Sequence, residues 1–330
     1  MIWKKSKQRF SNGSIMTKFI LLSCIFMATN AFAINRIDQS IDEMAKLMEK
    51  VKGSKNPAPY LLKSPARINA FKTQALARLY KSEEKNIKKV YQDYKKLEDG
   101  IGEVAKWNDL LSFAIERNAN EEKIADLKKK LSISENKLNE FLLKDGWSSG
   151  AIFSTQKENT KFLDELDDVK ERQLSLKLIL KSLKKVNNTE FDMKVLEEGN
   201  GLHEFRRELR WQMYQIVNLG GLIDYNQNRL YCPLDSYDRR GLNRINKYTE
   251  ITKIFEEKSC YIDFCLMNEI SVVVSEVGTI KDEVEGILNT TGVNDDQTPE
   301  PYLTKASAIY DHWKQNNALD LLINQIENCL

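Results

Sequence analysis

Histidine, proline and long apolar runs are scarce in this chain. Its 330 residues include two histidines and six prolines. Arg207 stands four residues after His203, where the second histidine of an H-E-x-x-H zinc helix belongs, and His312 is remote in sequence. Strict Walker and G-x-G-x-x-G phosphate-binding patterns are absent. The sequence therefore predicts no metal site, no cofactor and no catalytic residue, and it indicates no small-molecule substrate.

The N-terminal apolar segment is too short to cross a membrane. Residues 19–27 (FILLSCIFM) make up about half of the roughly 20 residues that a spanning helix needs. Lys18 precedes this segment, and the small-x-small sequence Ala31-Phe32-Ala33 follows it. This order is typical of a bacterial secretory signal peptide. We expect cleavage after Ala33 and a periplasmic or secreted mature chain.

Two alternatives at the N-terminus stay open. Met16 offers a second start, which would leave a shorter leader of the same kind. Leu21-Leu22-Ser23-Cys24 has the look of a lipobox, and a lipid on Cys24 would anchor the protein instead of releasing it.

Cysteine is confined to the leader and the C-terminal half. Apart from Cys24, the chain carries Cys232, Cys260, Cys265 and Cys329. An even number of cysteines in an exported chain predicts two disulfides, which stabilise mainly by restricting the unfolded state. Three connectivities are possible, and we favour Cys232–Cys260 with Cys265–Cys329. The spacing lacks the paired C-x-x-C of a zinc module.

Charge divides the chain into two regions. Residues 34–187 carry 31 basic and 24 acidic side chains, a net charge of +7, whereas residues 188–330 carry 14 and 24, a net charge of −10. Such a split indicates two regions of different surface character. It is compatible with ordinary solvated helix faces or with a lysine-rich half that meets an acidic surface. An excess this small does not indicate nucleic-acid binding.

Heptad spacing dominates the basic half and predicts an elongated antiparallel coiled-coil bundle. Gly100 and Gly102 interrupt the first seam and predict a kink or the join of two helices. The seam positions of the three successive helices are Leu76, Tyr80, Ile87, Val90, Tyr94, Leu97, Ile101, Val104, Leu111 and Ile115; then Ile124, Leu127, Leu131, Leu138 and Phe141; then Phe162, Leu166, Val169, Leu176, Leu180 and Leu183.

The remaining segments are also helical in pattern, so the predicted fold class is all-α. Ile37, Ile41, Met44, Leu47 and Met48 share one face of a short helix. The predicted domains are a signal peptide at 1–33, an N-terminal helix and linker at 34–64, a coiled-coil helical bundle at 65–187, and a compact disulfide-stabilised helical domain at 188–330, in which helices are expected over 202–217, 242–255, 266–288, 302–313 and 319–326.

One basic cluster has the character of a binding site. Arg206, Arg207 and Arg210 fall on one side of a helix, with Trp211 beside them. Arginine is suited to acidic partners, although pairing within the chain would explain the same cluster.

The predicted function is non-catalytic interaction. A long bundle followed by a compact domain suits an adaptor or assembly component of a bacterial envelope, secretion or conjugation system, by architectural analogy alone. Its partner would be a protein of the envelope or a second copy bound through the coiled coil, with peripheral membrane contact possible and no nucleic acid. The alternatives are a secreted membrane-active toxin or effector using residues 265–280, or an enzyme with a carboxylate-based site.

Overall fold

The computed structural model describes residues 35–197, 199–226, 260–290 and 298–330. From Asn35 onward, the described residues belong to one compact unit. The fold is all-α with a disulfide-stabilised C-terminal part, as predicted. The predicted leader, the expected helix over 242–255 and Cys232 lie outside the described residues.

Within these ranges there are eleven α-helices, one 3-10 turn and two short strands. They are α1 (Arg36–Glu49), α2 (Ala58–Lys63), α3 (Ala66–Tyr80), α4 (Lys85–Glu116), α5 (Glu121–Lys144), α6 (Ala151–Glu158), the 3-10 turn (Lys161–Glu165), α7 (Asp168–Asn187), α8 (Leu202–Val217), β1 (Ile223–Asn226), β2 (Cys260–Asp263), α9 (Phe264–Thr290), α10 (Glu300–Gln315) and α11 (Ala318–Glu327).

Helix α1 packs its apolar stripe against α3 and α6. Its first turn is capped by Asn35, whose side-chain oxygen accepts a hydrogen bond from the Asp38 amide at 3.1 Å. The predicted apolar face is confirmed, because all five of its side chains are buried: Ile37, Ile41, Met44, Leu47 and Met48.

Helix α3 lies at the centre of the main core. It contacts α1, α4, α7 and α8, and residues on every side of it are buried. Four alanines, Ala66, Ala70, Ala75 and Ala77, are among these buried residues. Small side chains let neighbouring helices approach α3 closely from several directions, so this helix organises the fold.

Helices α4 and α5 form a long hairpin, and α4 alone spans about 48 Å at 1.5 Å per residue. The chain turns at Asn118, which has a left-handed φ of 53°, and Asn120 caps α5. Gly100 and Gly102 neither join two helices nor end one, since α4 runs through both. A Cβ at Gly100 would lie 3.0 Å from Leu138 Cδ1, so this glycine allows close approach of α5.

In the first part of the hairpin the predicted heptad positions are buried, whereas further along the buried positions differ from the predicted ones. Seam residues from Ile87 to Val104 are buried as predicted. After Val104 the buried positions shift by one, to Leu110 and Ala114, while Ile115 is 51% exposed. On α5, Leu131 is only half-buried.

Two predicted boundaries in the N-terminal half are wrong. The linker expected before Ser64 contains helix α2, which packs on α4 and α5. The third predicted helix is divided into the 3-10 turn and α7, because Leu166 adopts an extended conformation between them. Val169, assigned to its seam, is 44% exposed, whereas Leu176 and Leu183 are fully buried.

The C-terminal part combines helices with a small sheet. Strands β1 and β2 pair in parallel, with Ile223 beside Cys260. The segment 271–274, rich in β-branched residues, lies within α9 and is helical. Helix α11 packs on α7, β2 and α9, so the C-terminus is held against both the bundle and the sheet.

The predicted disulfide pairing is wrong. Cys260 is bonded to Cys329, with their Cα atoms 5.5 Å apart. The bond joins β2 to the residues after α11, a helix that itself packs against β2. Cys265 is also disulfide-bonded.

In the described part of the chain, no helix has the combination of length and apolar character needed to cross a membrane.

Candidate partner-binding site

The basic residues singled out from the sequence lie on α8, between α3, α7 and α9. Arg206 turns toward α9. Its Nε donates to the Val274 carbonyl at 3.3 Å. A Cβ added at Gly278 would lie 2.7 Å from that Nε, so the guanidinium rests on the α9 backbone where a glycine leaves room. Arg206 therefore joins two helices of the chain itself.

Arg210 turns toward α3. Its Cζ lies 4.0 Å from the centroid of the Phe71 ring, a cation–π contact. Arg67 lies on the same helix as Phe71, and its Nε donates to Glu98 Oε1 at 3.0 Å. Burial and the neighbouring Arg206 lower the pKa of Arg210 to about 10.

Trp211 is a core residue. It is 4% exposed, and its ring lies 5.3 Å from that of Phe71. On α3, Arg78 places its Cζ 5.0 Å from the indole and donates to both carboxylate oxygens of Glu208, at 2.8 and 3.1 Å. Trp211 thus seals the α3–α8 interface, and a partner would reach it only if that interface opened.

Arg207 is the exposed member of the set. Its guanidinium pairs with Glu204, three residues earlier on α8. Nearby His203 has Nδ1 3.7 Å from Glu197 Oε1. Burial, followed by Lys281 and the three arginines, lowers the pKa of His203 to about 4, so its imidazole is neutral at physiological pH. The structure brings Arg206, Arg207 and Arg210 together and leaves Arg207 the most accessible.

A second basic group escaped sequence reasoning, because Lys185 is remote in sequence from Lys81 and Lys88. We name Lys81, Lys88 and Lys185 the lysine junction. Lys81 follows α3 and places its Nζ 4.2 Å from the centroid of the Tyr91 ring. Burial lowers the pKa of Lys81, and the positive charges of Arg78, Lys88 and Lys185 lower it further. The signal in the sequence was the high lysine content of residues 81–96 and 177–185.

None of these three lysines has a carboxylate within ion-pairing distance in the described part of the chain. Lys88 and Lys185 are exposed. Glu208 partly offsets the effect of the cations on Lys81, but it is bound to Arg78. The lysine junction therefore presents positive charge to solvent beside the end of α3, a helix that contacts both α4 and α7.

A buried polar network also went unpredicted. Glu171 on α7 is 3% exposed, and its Oε2 accepts from Arg36 Nη1 at 2.7 Å. The Tyr80 hydroxyl lies 2.6 Å from Ser175 Oγ, and Arg36 also donates to the Gly220 carbonyl at 3.2 Å. Burial raises the pKa of Glu171 against the opposing effect of Arg36. The network joins α1, α3 and α7, which makes its role structural.

Residues 146–150 match the serine-nucleophile pattern G-x-S-x-G, but their surroundings differ from that site. In hydrolases the serine sits on a strand-to-helix turn with a histidine partner. Here Gly146 and Gly150, both at φ 78°, shape a turn between helices α5 and α6. Ser148 Oγ is buried. His203 faces Glu197, and His312 contacts Asn316, so neither histidine serves this serine.

Carboxyl groups with raised pKa values are dispersed. Burial is the main cause for Asp38, Asp93, Asp109 and Glu171. Asp38 accepts from the Thr160 hydroxyl, whereas Asp109 lies close to Asp282. Within the described ranges, no cluster of histidine, cysteine and carboxylate side chains has the arrangement of a metal site.

Comparison with known proteins finds no matching family model, no matching curated protein and no matching solved structure.

Proposed function

We propose that this chain is an exported, non-catalytic interaction protein: an adaptor or assembly component of a bacterial envelope, secretion or conjugation system that binds an acidic protein. The lysine junction is the observation that carries the proposal. Lys88 of α4 and Lys185 of α7 both repel the ammonium of Lys81, and none of the three lysines has a carboxylate partner in the described residues. An acidic surface would relieve their mutual repulsion and would steer association at low ionic strength.

The architecture supports the same proposal. The α4–α5 hairpin carries a small core of its own, formed by Leu110, Ala114, Ala119 and Leu127. Such an arm supplies extended surface without catalytic groups. The compact unit begins at Asn35, beside the predicted cleavage site, and the Cys260–Cys329 disulfide suits an oxidising compartment. In this proposal Arg207 is the one member of the predicted set that contributes to partner contact, because it is exposed. The other members of the set are Arg206, Arg210 and Trp211.

The test is a matched pair of charge reversals in the full chain, expressed with its leader. Lys88→Glu with Lys185→Glu alters the lysine junction, and Lys128→Glu with Lys129→Glu alters two exposed lysines of α5 by the same charge. We expect the first pair to lower the yield of a specific cross-linked complex in the envelope fraction at least tenfold and the second pair to leave it within twofold.

Two results would contradict the proposal. Equal loss in both variants would show only general charge attraction. Release of dye from anionic vesicles by the wild-type protein would instead favour the membrane-active alternative. Circular dichroism and melting of each variant exclude misfolding as the cause, since all four lysines are exposed.

A further inference from the structure

The tip of the α4–α5 hairpin, residues 105–131, meets α9 on one side. Lys106 and Arg117 of α4 bind glutamates of α9. Between them, Phe113 faces Gly286 of the same helix, since a Cβ added at that glycine would lie 2.7 Å from Phe113 Cζ. Positions 106, 113 and 117 are seven and four residues apart, so they share one side of α4. Helix α9 therefore occupies that side of the tip.

The side of α4 away from α9 carries apolar side chains that are partly open to solvent. Leu111 and Ile115 each stand two residues from Phe113, about 160° around the helix at 3.6 residues per turn. Ile115 is 51% exposed, and Leu111 is half-buried. On α5, half-buried Ile124 packs with Leu111 against the same small core. We name Leu111, Ile115 and Ile124 the tip face, and their spacing on α4 is that of a helix surface which binds another helix.

Helix α5 carries one charge of each sign beside Ile124. Glu121 lies three residues before Ile124 and Lys128 four residues after it, so the three side chains form one stripe. Both charged residues are exposed. On the opposite side of α5, Lys130 is bound to Asp126 at 2.8 Å, but among the described residues neither Glu121 nor Lys128 has an ion-pair partner. The stripe therefore presents a negative, an apolar and a positive side chain in that order.

This order is complementary to itself when two copies lie antiparallel. In a two-fold interface, a contact from residue i to residue j is matched by a contact from j to i. With Ile124 at the axis, Glu121 of each copy lies opposite Lys128 of the other, and the two tip faces meet. A partner surface of one charge sign would attract one of these side chains and repel the other. The charge pattern therefore favours a second copy of this chain.

We propose that the tip face is an interface between two antiparallel copies of the protein. The overlap from position 118 to position 131 is about 20 Å long at 1.5 Å per residue. This is short for a permanent interface, so the dimer is weak and reversible. Lys88 and Ile115 are about 40 Å apart along α4, so the interface is separate from the lysine junction and does not rest on the proposed function. A change at Lys128 weakens the dimer without altering binding at the junction.

Sedimentation velocity of the purified exported protein over a concentration series tests the interface. We expect the wild-type protein to dimerise reversibly. Glu121→Lys and Lys128→Glu should each weaken dimerisation about tenfold, because each change places two pairs of like charges across the axis. The double variant restores opposite charges and should dimerise within twofold of wild type. An equimolar mixture of the two single variants should form heterodimers for the same reason.

Two further variants separate this interface from general charge and folding effects. Glu122→Lys is the matched control, since it makes the same charge change at an exposed position of α5 outside the stripe. Its dimerisation should stay within twofold of wild type. Ile115→Ser should weaken dimerisation about tenfold while circular dichroism shows unchanged helicity, because this side chain is exposed in the single chain.

Three results would overturn the interface. The first is a protein that stays monomeric at concentrations up to about 1 mM. The second is a dimer that both single charge variants form as readily as wild type, and the third is a double variant that fails to recover. Since the experiment uses the purified chain alone, its failure would leave the proposed binding of an acidic protein untouched.

Discussion

The two ends of helix α4 pack into different hydrophobic cores. From Lys85 to Val104, its seam belongs to the main core, and Ile87, Val90, Tyr94 and Leu97 have no exposed surface. From Ala105 to Glu116, it contributes to the small core of Leu110, Ala114, Ala119 and Leu127. The first end lies against α3, as the Arg67–Glu98 bond shows, while the second meets α9 through Lys106–Glu285 and Arg117–Glu283.

This difference shows when a heptad pattern specifies burial. Where several helices surround α4, every apolar seam position is enclosed. Toward the tip, the enclosing surface is smaller, and Phe113 packs against Gly286 of α9 from outside the predicted seam. The buried stripe therefore shifts by one residue, and Ile115 is left 51% exposed.

The largest expected effect compares leucines at the two ends. Leu97→Ala should cost about 4 kcal/mol of unfolding free energy, because closely packed neighbours cannot collapse into the cavity. Leu110→Ala should cost about 2 kcal/mol, since the small core relaxes more easily. Urea denaturation measures both. Equal losses would show that the tip is packed as firmly as the main core.

Loss of the disulfide should weaken a different region. Cys329→Ser removes a cross-link between residues 69 positions apart in sequence and should cost about 2–4 kcal/mol. Hydrogen exchange should rise in β2 and α11, which the bond joins, before it rises in α4. Uniform acceleration of exchange across the chain would contradict this local effect.

Since Cys260 is bonded to Cys329 and Cys265 is also disulfide-bonded, we expect Cys265 to pair with Cys232. Peptide mapping without reductant tests this second pairing.

A methyl group at the α4–α9 contact tests how the tip is held. In Gly286→Ala, the new Cβ would lie 2.7 Å from Phe113 Cζ, so either the Phe113 ring or one of the two helices must shift. We expect a loss of about 1–2 kcal/mol, typical of overpacking. Ile115→Ser on the exposed side should change stability by less than about 0.5 kcal/mol. Thermal melting distinguishes the two variants. A Gly286→Ala variant that melts at the wild-type temperature would contradict the contact between α4 and α9.

The smallest expected effect is on the pH dependence of stability. The pKa of His203 is about 4 in the folded protein, below its ordinary value of 6.5, so protonation favours the unfolded chain. The stability contributed by neutral His203 is present above pH 6.5 and falls as the pH drops toward 4. His203→Gln should flatten that part of the profile, whereas His312→Gln should not. Parallel profiles for wild type and His203→Gln would refute the assignment.

The fold followed from the sequence wherever local pattern and packing agree. The α1 stripe and the seam from Ile87 to Val104 were readable because apolar periodicity alone selects the buried face. Helix α2 was missed because two prolines suggested a linker, although a proline before the first turn is compatible with a helix. The disulfide pairing could not be read, since it depends on β2 lying beside the residues after α11.

The candidate site was only partly readable. Spacing placed Arg206, Arg207 and Arg210 on one helix, but it did not show that Arg206 would meet Gly278 or that Trp211 would be enclosed by Arg78 and Phe71. The lysine junction depends on tertiary contact between the ends of three helices, which no local pattern encodes.

Photocrosslinking from single positions tests the central claim, that the lysine junction binds an acidic protein, most directly. A photoreactive residue in place of Gln92, which is exposed one turn after Lys88 on α4, should give one discrete protein adduct. That adduct should disappear when Lys185→Glu is added, and the same probe at position 129 should give none. Adducts from position 129 alone, or none from either position at low ionic strength, would contradict the account.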